Sequence, residues 1–241
     1  MKIFAIGDLH LSENPAVEKP MDIFGEAWEG HAQKLNKAWS ESVDDTDVVI
    51  IAGDLSWGLT LDEAIPDLKF VYDLPGTKLI FKGNHDLWWQ SITKNNAVFK
   101  DKDGNLDKTM NFIQNHAYVV GDVAICGTRG WICPGDREFT QHDQKIYDRE
   151  VLRLRMSLDD AVEQGAKEII AVLHYPPTND KQQESEFTKV LSEYKVKTCV
   201  YGHLHGRDNF KRGLSGIFNG VEYKLCSLDY IDCKPILVKE I

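Results

Sequence analysis

The stretch Ile3-Phe4-Ala5-Ile6-Gly7-Asp8-Leu9-His10 decides the fold, because an apolar run passes directly into a glycine, a carboxylate and an imidazole. The pattern recurs along the chain. Val48-Val49-Ile50-Ile51-Ala52 runs into Gly53-Asp54, and Leu79-Ile80-Phe81 leads to Gly83-Asn84-His85-Asp86. Ile169-Ile170-Ala171-Val172-Leu173 ends at His174, and Cys199-Val200-Tyr201 ends at Gly202-His203-Leu204-His205. Short runs this rich in β-branched residues suit strands buried on both faces.

Helical stretches lie between them. Trp28, His31, Leu35, Ala38 and Trp39 recur at three- and four-residue steps and predict one helical face, with His31 in the core. Thr60 with Glu63 forms a capping box, although Pro66 is expected to kink or break the helix it opens. Thr140 with Asp143 forms a second box, ahead of an apolar face of Tyr147, Val151, Leu154, Leu158 and Val162 closed by Gly165. From Gly216 onward the chain turns strand-like again. Asp101 to Asn105 reads as an exposed loop, and Asp44, Asp45 and Asp47 as a solvated turn. Strands alternating with helices predict an α/β core, here expected as one domain over residues 1–241. Ligands of such sheets sit beyond the carboxyl ends of the strands, so the five polar turns are expected to converge on one edge of the sheet.

Composition narrows the function. The 241 residues carry 28 basic and 38 acidic side chains, a net charge of −10 that disfavours nucleic acid and anionic membranes as partners. No apolar stretch approaches the roughly 20 residues of a membrane helix. The first residues read as a strand rather than a secretory leader. Cys126, Cys133, Cys199, Cys226 and Cys233 are odd in number and widely spaced, which predicts reduced thiols and a cytoplasmic protein.

The histidines carry the chemistry. Five of the eight (His10, His85, His174, His203 and His205) fall at or just beyond predicted strand ends, beside Asp8, Asp54 and Asn84. Carboxylate, imidazole and amide oxygen together suit borderline divalent metals. If the first strand continues, Asp8 and His10 leave it on the same face. Glycines at 7, 53, 83 and 202 are expected to let the backbone turn sharply.

Gly7-Asp8-Leu9-His10, Gly53-Asp54, Gly83-Asn84-His85-Asp86, His174 and Gly202-His203-Leu204-His205 resemble the signature blocks of the calcineurin-like metallophosphoesterases, in the family's order. The resemblance implies two mixed β-sheets packed as a sandwich with helices outside. It implies two divalent metal ions, from manganese, iron, zinc and nickel, with manganese or iron preferred. Asp8, His10 and His205 would bind one ion, Asn84, His174 and His203 the other, and Asp54 both. His85 would act beside the metals without binding them, its ring oriented by Asp86. A hydroxide bridging the ions would attack phosphorus. The physics agrees, since two dications outweigh Asp8 and Asp54, and together they acidify a shared water and clamp an in-line displacement.

The sequence also departs from the pattern. Leu11 stands where glycine is common, and Gly53-Asp54-Leu55-Ser56-Trp57-Gly58 lacks the second Asp and the Arg of protein serine/threonine phosphatases. That speaks against a phosphoprotein phosphatase, and the acidic surface disfavours long polyanions, so a small phosphodiester or phosphomonoester is the expected substrate. A non-catalytic metal-bound scaffold and a nuclease are the alternatives. Arg129 and Arg207 are candidates to grip the phosphate. Trp57, Trp88 and Trp89 follow ligand blocks and either stack on substrate or pack the rim, the second being the commoner role of a large aromatic.

Overall fold

The computed structural model describes residues 1–100, 107 and 109–241, so the loop predicted over Asp101 to Asn105 lies outside it. The strands are β1 (Lys2–Ile6), β2 (Val48–Ile51), β3 (Thr77–Ile80), β4 (Met110–Phe112), β5 (Tyr118–Val120), β6 (Val123–Thr128), β7 (Glu168–Leu173), β8 (Thr198–Tyr201), β9 (Gly216–Phe218), β10 (Val221–Leu225) and β11 (Ile236–Glu240). The helices are α1 (His31–Ser42), α2 (Leu61–Tyr72), α3 (Ile92–Asn96), α4 (Gln141–Glu163), α5 (Glu186–Glu193) and α6 (Arg207–Phe210).

The strands form two mixed sheets, in the orders β11-β1-β2-β3-β4 and β5-β6-β7-β8-β10-β9. The first is parallel except for β11, which pairs antiparallel with β1. The second has a parallel centre with antiparallel edges at β5 and β9. Both faces of each sheet are covered. Alternate residues of one strand point opposite ways, so Ile3 and Ala5 join Val48, Ile50, Ile125, Ile170 and Val172 between the sheets. Phe4 and Ile6 point outward onto Leu35 and Trp39 of α1 and Leu68 and Val71 of α2. On the far side, Ile169, Ala171 and Leu173 pack on Tyr147 and Leu154 of α4 and Val190 of α5. The result is helix, sheet, sheet, helix, which is why the sequence shows continuous apolar runs rather than alternation.

Both capping boxes close as expected, with Thr60 paired to Glu63 and Thr140 to Asp143. Pro66 does not break α2, which runs through it. The ring removes one hydrogen bond, and the buried face of Ala64, Leu68 and Val71 holds the helix in place. Trp28 lies ahead of α1, in the turn that leads into it. Gly165 does close α4, its amide donating to the Val162 carbonyl at 2.9 Å. Val162 itself is exposed, because the buried stripe drifts around this long helix onto Glu150, Ser157 and Ala161. Asp47 is buried rather than solvated: its carboxylate accepts from the amides of Lys2 (2.7 Å) and Asp44 (3.0 Å) and ties β1 to the turn before β2.

Candidate metal centre

The five polar turns meet at the carboxyl ends of β1, β2, β3, β7 and β8, where the two sheets come together, so the site draws on both sheets rather than on the edge of one. The backbone there is unusual. β1 stops at Ile6, and Asp8 and His10 are left-handed (φ 57° and 45°) instead of continuing the strand. Asp54 and His203 are left-handed as well, at φ 52° and 73°. Non-glycine residues seldom adopt this region, and they cluster at functional sites where neighbouring structure holds them. The holding contacts run between the first two turns: the amides of Asp8, His10 and Leu11 donate to the carbonyls of Gly53, Asp54 and Leu55 at 2.9–3.0 Å.

The glycines serve close approach more than turning. A Cβ on Gly83 would lie 2.0 Å from Asp54 Oδ1, and one on Gly202 would lie 2.4 Å from Asp8 Oδ2. Of the four glycines singled out, only Gly53 is itself left-handed.

The side chains present a set of lone pairs facing one another. His174 Nδ1 lies 3.0 Å from the Ala52 carbonyl, which only accepts, so Nδ1 carries the hydrogen and Nε2 is the lone pair. That lone pair faces Asn84 Oδ1 at 2.7 Å and Asp54 Oδ2 at 3.4 Å, with His203 Nδ1 at 3.3 Å. His203 Nδ1 is 2.9 Å from the same Asn84 oxygen. His205 repeats the arrangement. Its Nδ1 lies 3.0 Å from Asp229 Oδ1, turning Nε2 toward His10 Nε2 at 3.3 Å and Asp8 Oδ1 at 3.6 Å. Acceptors this close require a cation or a shared proton between them. Asp8, His10 and His205 offer ligand atoms within 4.8 Å of one another, and so do Asp8, Asp54 and His174. Asp54 Oδ2, 3.9 Å from His10 Nε2, also stands between the two groups.

The protonation states suit a metal. Burial holds His10 well below its ordinary pKa, and burial with the nearby His174 holds His203 down to about 3, so both imidazoles keep their lone pairs. Burial would raise the Asp54 carboxyl, but the His174 and His10 imidazoles keep it well below the usual range. Burial also opposes charge on His174, yet the Asp54 and Asp8 carboxylates outweigh it and raise the imidazole to about 9. The chain alone therefore holds a proton where its ligand atoms converge, and a divalent cation would displace it.

Around these residues the structure amends the sequence reading. Asp86 does not orient the His85 ring. Its buried carboxylate accepts from the amides of Asp54, Leu55, Ser56 and Gly83 and from Trp88 Nε1, at 2.7–3.4 Å. Those five bonds lock the β2 and β3 turns together, which makes Asp86 a positioning residue. His85 is exposed; its amide donates to Asp54 Oδ1 at 2.7 Å and its ring packs against Trp57, 4.6 Å between centroids. Two contributors escaped sequence reasoning. Asp229 receives His205 Nδ1 and the Gly206 amide (2.9 Å), and Tyr175 lays its ring on His203 at 4.2 Å. Tyr175 follows His174 directly and was open to notice. Asp229 lies in the turn after β10, and no local pattern marks it.

Two cavities open on the donor set. One, of about 600 Å³, is lined by His10, His85 and His205 together with Trp28, Trp57 and Phe210. The other, of about 440 Å³, is lined by His203 and His205 with Tyr175, Asp136, Arg137 and Arg212. Arg207 and Trp57 both line the first. The Arg129 side chain faces neither; it lines a third cavity that shares no lining residue with these two. Trp88 and Trp89 are buried against Phe112 and line neither cavity.

Known proteins agree with this picture. The sequence profile of the calcineurin-like phosphoesterases matches residues 1–207. The Gene 66 protein of Mycobacterium phage L5 is 37% identical over 79 residues, 33% of this chain and 37% of that one, so the match spans little more than a third of that relative. The phosphopantetheinyl hydrolase of Mycobacterium tuberculosis superposes with a TM-score of 0.51 at 16% identity, over 94% of this chain and 88% of that one. The TT1561 protein of Thermus thermophilus does so at 0.51 and 12%, over 85% and 82%, and AQ665 of Aquifex aeolicus at 0.50 and 14%, over 98% and 95%. At these identities the likeness is one of fold. Profile, fold and convergent donor atoms together place the chain in the calcineurin-like phosphoesterase family.

Proposed function

We propose that this protein hydrolyses a small phosphodiester with two unlike arms, using two divalent metal ions, preferably manganese or iron. The observation that carries the reading is the donor set lying between an aromatic cavity and a polar one. A phosphomonoester has one arm and needs one cavity; a diester fills both. Asp8, His10 and His205 would hold one ion, Asn84, His174 and His203 the other, and Asp54 would reach both. Bound there, the ions supply a water acidic enough to attack at neutral pH and a positive field for the phosphoryl oxygens.

The chain's own groups do the rest. The Asp229 carboxylate and the Ala52 carbonyl fix the tautomers of His205 and His174, so that each presents Nε2 inward. His85 is exposed and lines the aromatic cavity, so it would meet the leaving oxygen of an arm seated there and hand it a proton. Trp57 stacks at 4.6 Å and 21° on His10 and continues as a wall for that arm. Arg207, exposed and on the same cavity, would meet a phosphate or sugar oxygen.

Hydrolysis of bis(p-nitrophenyl) phosphate against p-nitrophenyl phosphate, with added manganese, tests the reading. Diester turnover that exceeds monoester turnover and disappears in Asp54→Asn supports it. Preference for the monoester overturns the diester assignment. No turnover of either, with two equivalents of metal bound, favours the scaffold alternative.

A further inference from the structure

The cavity that takes Arg129 belongs to no part of the metal centre. It measures about 260 Å³ and lies among the ends of β3, β4 and β6 and the middle of α4. Four cationic side chains line it: Lys82, Arg129, Arg149 and Arg153. Its single anion is Glu150, whose side chain is 1% exposed. Glu150 Oε1 receives Arg153 Nη1 at 2.8 Å and Arg149 Nη2 at 3.3 Å, with Arg129 Nη2 at 3.9 Å, while Oε2 accepts the Thr128 hydroxyl.

A buried carboxylate demands a counter-charge, and one arginine would satisfy it. Here three guanidinium groups crowd one carboxylate, and Lys82, half-buried, makes no hydrogen bond or ion pair among the described residues. The Arg129 guanidinium lies over Trp131, 4.6 Å from the ring centroid, and its approach to Glu150 is the longest of the three. The walls thus carry three positive charges beyond what Glu150 neutralises, in a protein of net charge −10. Like charges gathered against that background repel one another unless an anion joins them.

We infer that this cavity binds a small oxyanion of the phosphate class, cradled by Lys82, Arg129, Arg149 and Arg153. Its volume falls below the about 300–1,000 Å³ of pockets that take drug-sized ligands, so a single tetrahedral anion fits better than a nucleotide. Planar guanidinium forks match the oxygens of such an anion. The site stands one turn from the metal centre: Lys82 precedes Gly83-Asn84, and the Arg129 carbonyl accepts from the His174 and Tyr175 amides at 3.0 and 2.9 Å. Binding here does not depend on hydrolysis at the metals.

Calorimetric titration of orthophosphate into the metal-depleted full chain and into the metal-loaded protein tests the inference. Phosphate held at the depleted metal centre instead would not respond to changes at Lys82 and Arg129, so variants at those two positions assign the heat to one cavity or the other. One equivalent is expected to bind in the basic cavity. Lys82→Gln, which breaks no hydrogen bond seen among the described residues, is expected to weaken it about tenfold, the effect of losing one close charge. Arg129→Gln is expected to do the same, and added salt to weaken all three. A depleted chain that takes no phosphate overturns the inference. So does Lys82→Gln and Arg129→Gln protein that melts normally and binds phosphate as tightly as the unaltered chain.

Discussion

The two cavities flanking the metal centre share His205 and little else. The His10 side carries Met21, Phe24, Trp28, Trp57 and Phe210, with Arg207, Asp229 and Asp232 among them; the His203 side carries Asp136, Arg137, Asn179, Asp180 and Arg212, with Tyr175 and Leu204. The difference has a physical consequence. Aromatic walls bind by buried area and stacking, which salt screening barely weakens. Charged rims bind by attraction that exposure and salt weaken. On the proposed reading, one ester arm would be gripped firmly and the other steered loosely, and His85, on the firm side, would select which bond breaks.

The change with the largest expected effect removes the carboxylate that lies between His10 and His174, beneath both cavities' ligand side chains. Asp54→Asn trades a carboxylate at the meeting point of the two ligand groups for an amide. Turnover of every ester is expected to fall by about 10³-fold or more, as the attacking water loses its activation. Metal content by elemental analysis is expected to drop with it. Full activity in Asp54→Asn would dissolve the comparison, because the cavities would then have no common centre.

His85→Ala comes next and separates chemistry from binding. Removing a general acid costs about 10²-fold in kcat. Two equivalents of metal should remain, since the proposed ligands do not include His85. A leaving group that departs without a proton, such as p-nitrophenolate, should suffer less than an alkoxide. Equal losses for both would count against proton donation, and loss of metal would make His85 a ligand.

The ligand turns were legible because each is announced locally, by an apolar run that stops at a glycine and a polar side chain. The four layers were legible for the same reason, since runs such as Val48 to Ala52 have no polar face to leave in water. What the sequence hid is long-range. Asp229 reaches His205 from 24 positions away, and no spacing rule connects them. Asp86 sits beside His85 in sequence, and the family resemblance implied that it orients the ring. Its actual partners are backbone amides some 30 residues earlier, which carry no residue signature. The left-handed Asp8 and His10 are invisible for a related reason, because their strain is held by carbonyls of the neighbouring turn.

Trp57→Ala sharpens the aromatic side alone. Losing one indole wall is expected to raise KM about tenfold for an ester with an aromatic leaving group. A substrate with a small alkyl leaving group should change little. Trp57 also stacks on His10, so metal content is measured alongside. A kcat loss with depleted metal would mean that the indole props the ligand rather than the substrate.

Arg212→Ala has the smallest expected effect and is the sharpest test of the polar side. Arg212 is about half-exposed and sits 3.4 Å from Asp180, itself half-exposed. An exposed charge of this kind contributes about 0.2–1 kcal/mol. The KM of a diester with an anionic or hydroxylated second arm should thus rise no more than about fivefold at low salt. The rise should vanish near 1 M salt, where the screening length shrinks to about 3 Å. A monoester, with no arm on that side, should be unaffected at any salt. If the monoester loses as much as the diester, Arg212 acts on the phosphoryl group itself, and the two cavities do not divide the substrate as their walls imply.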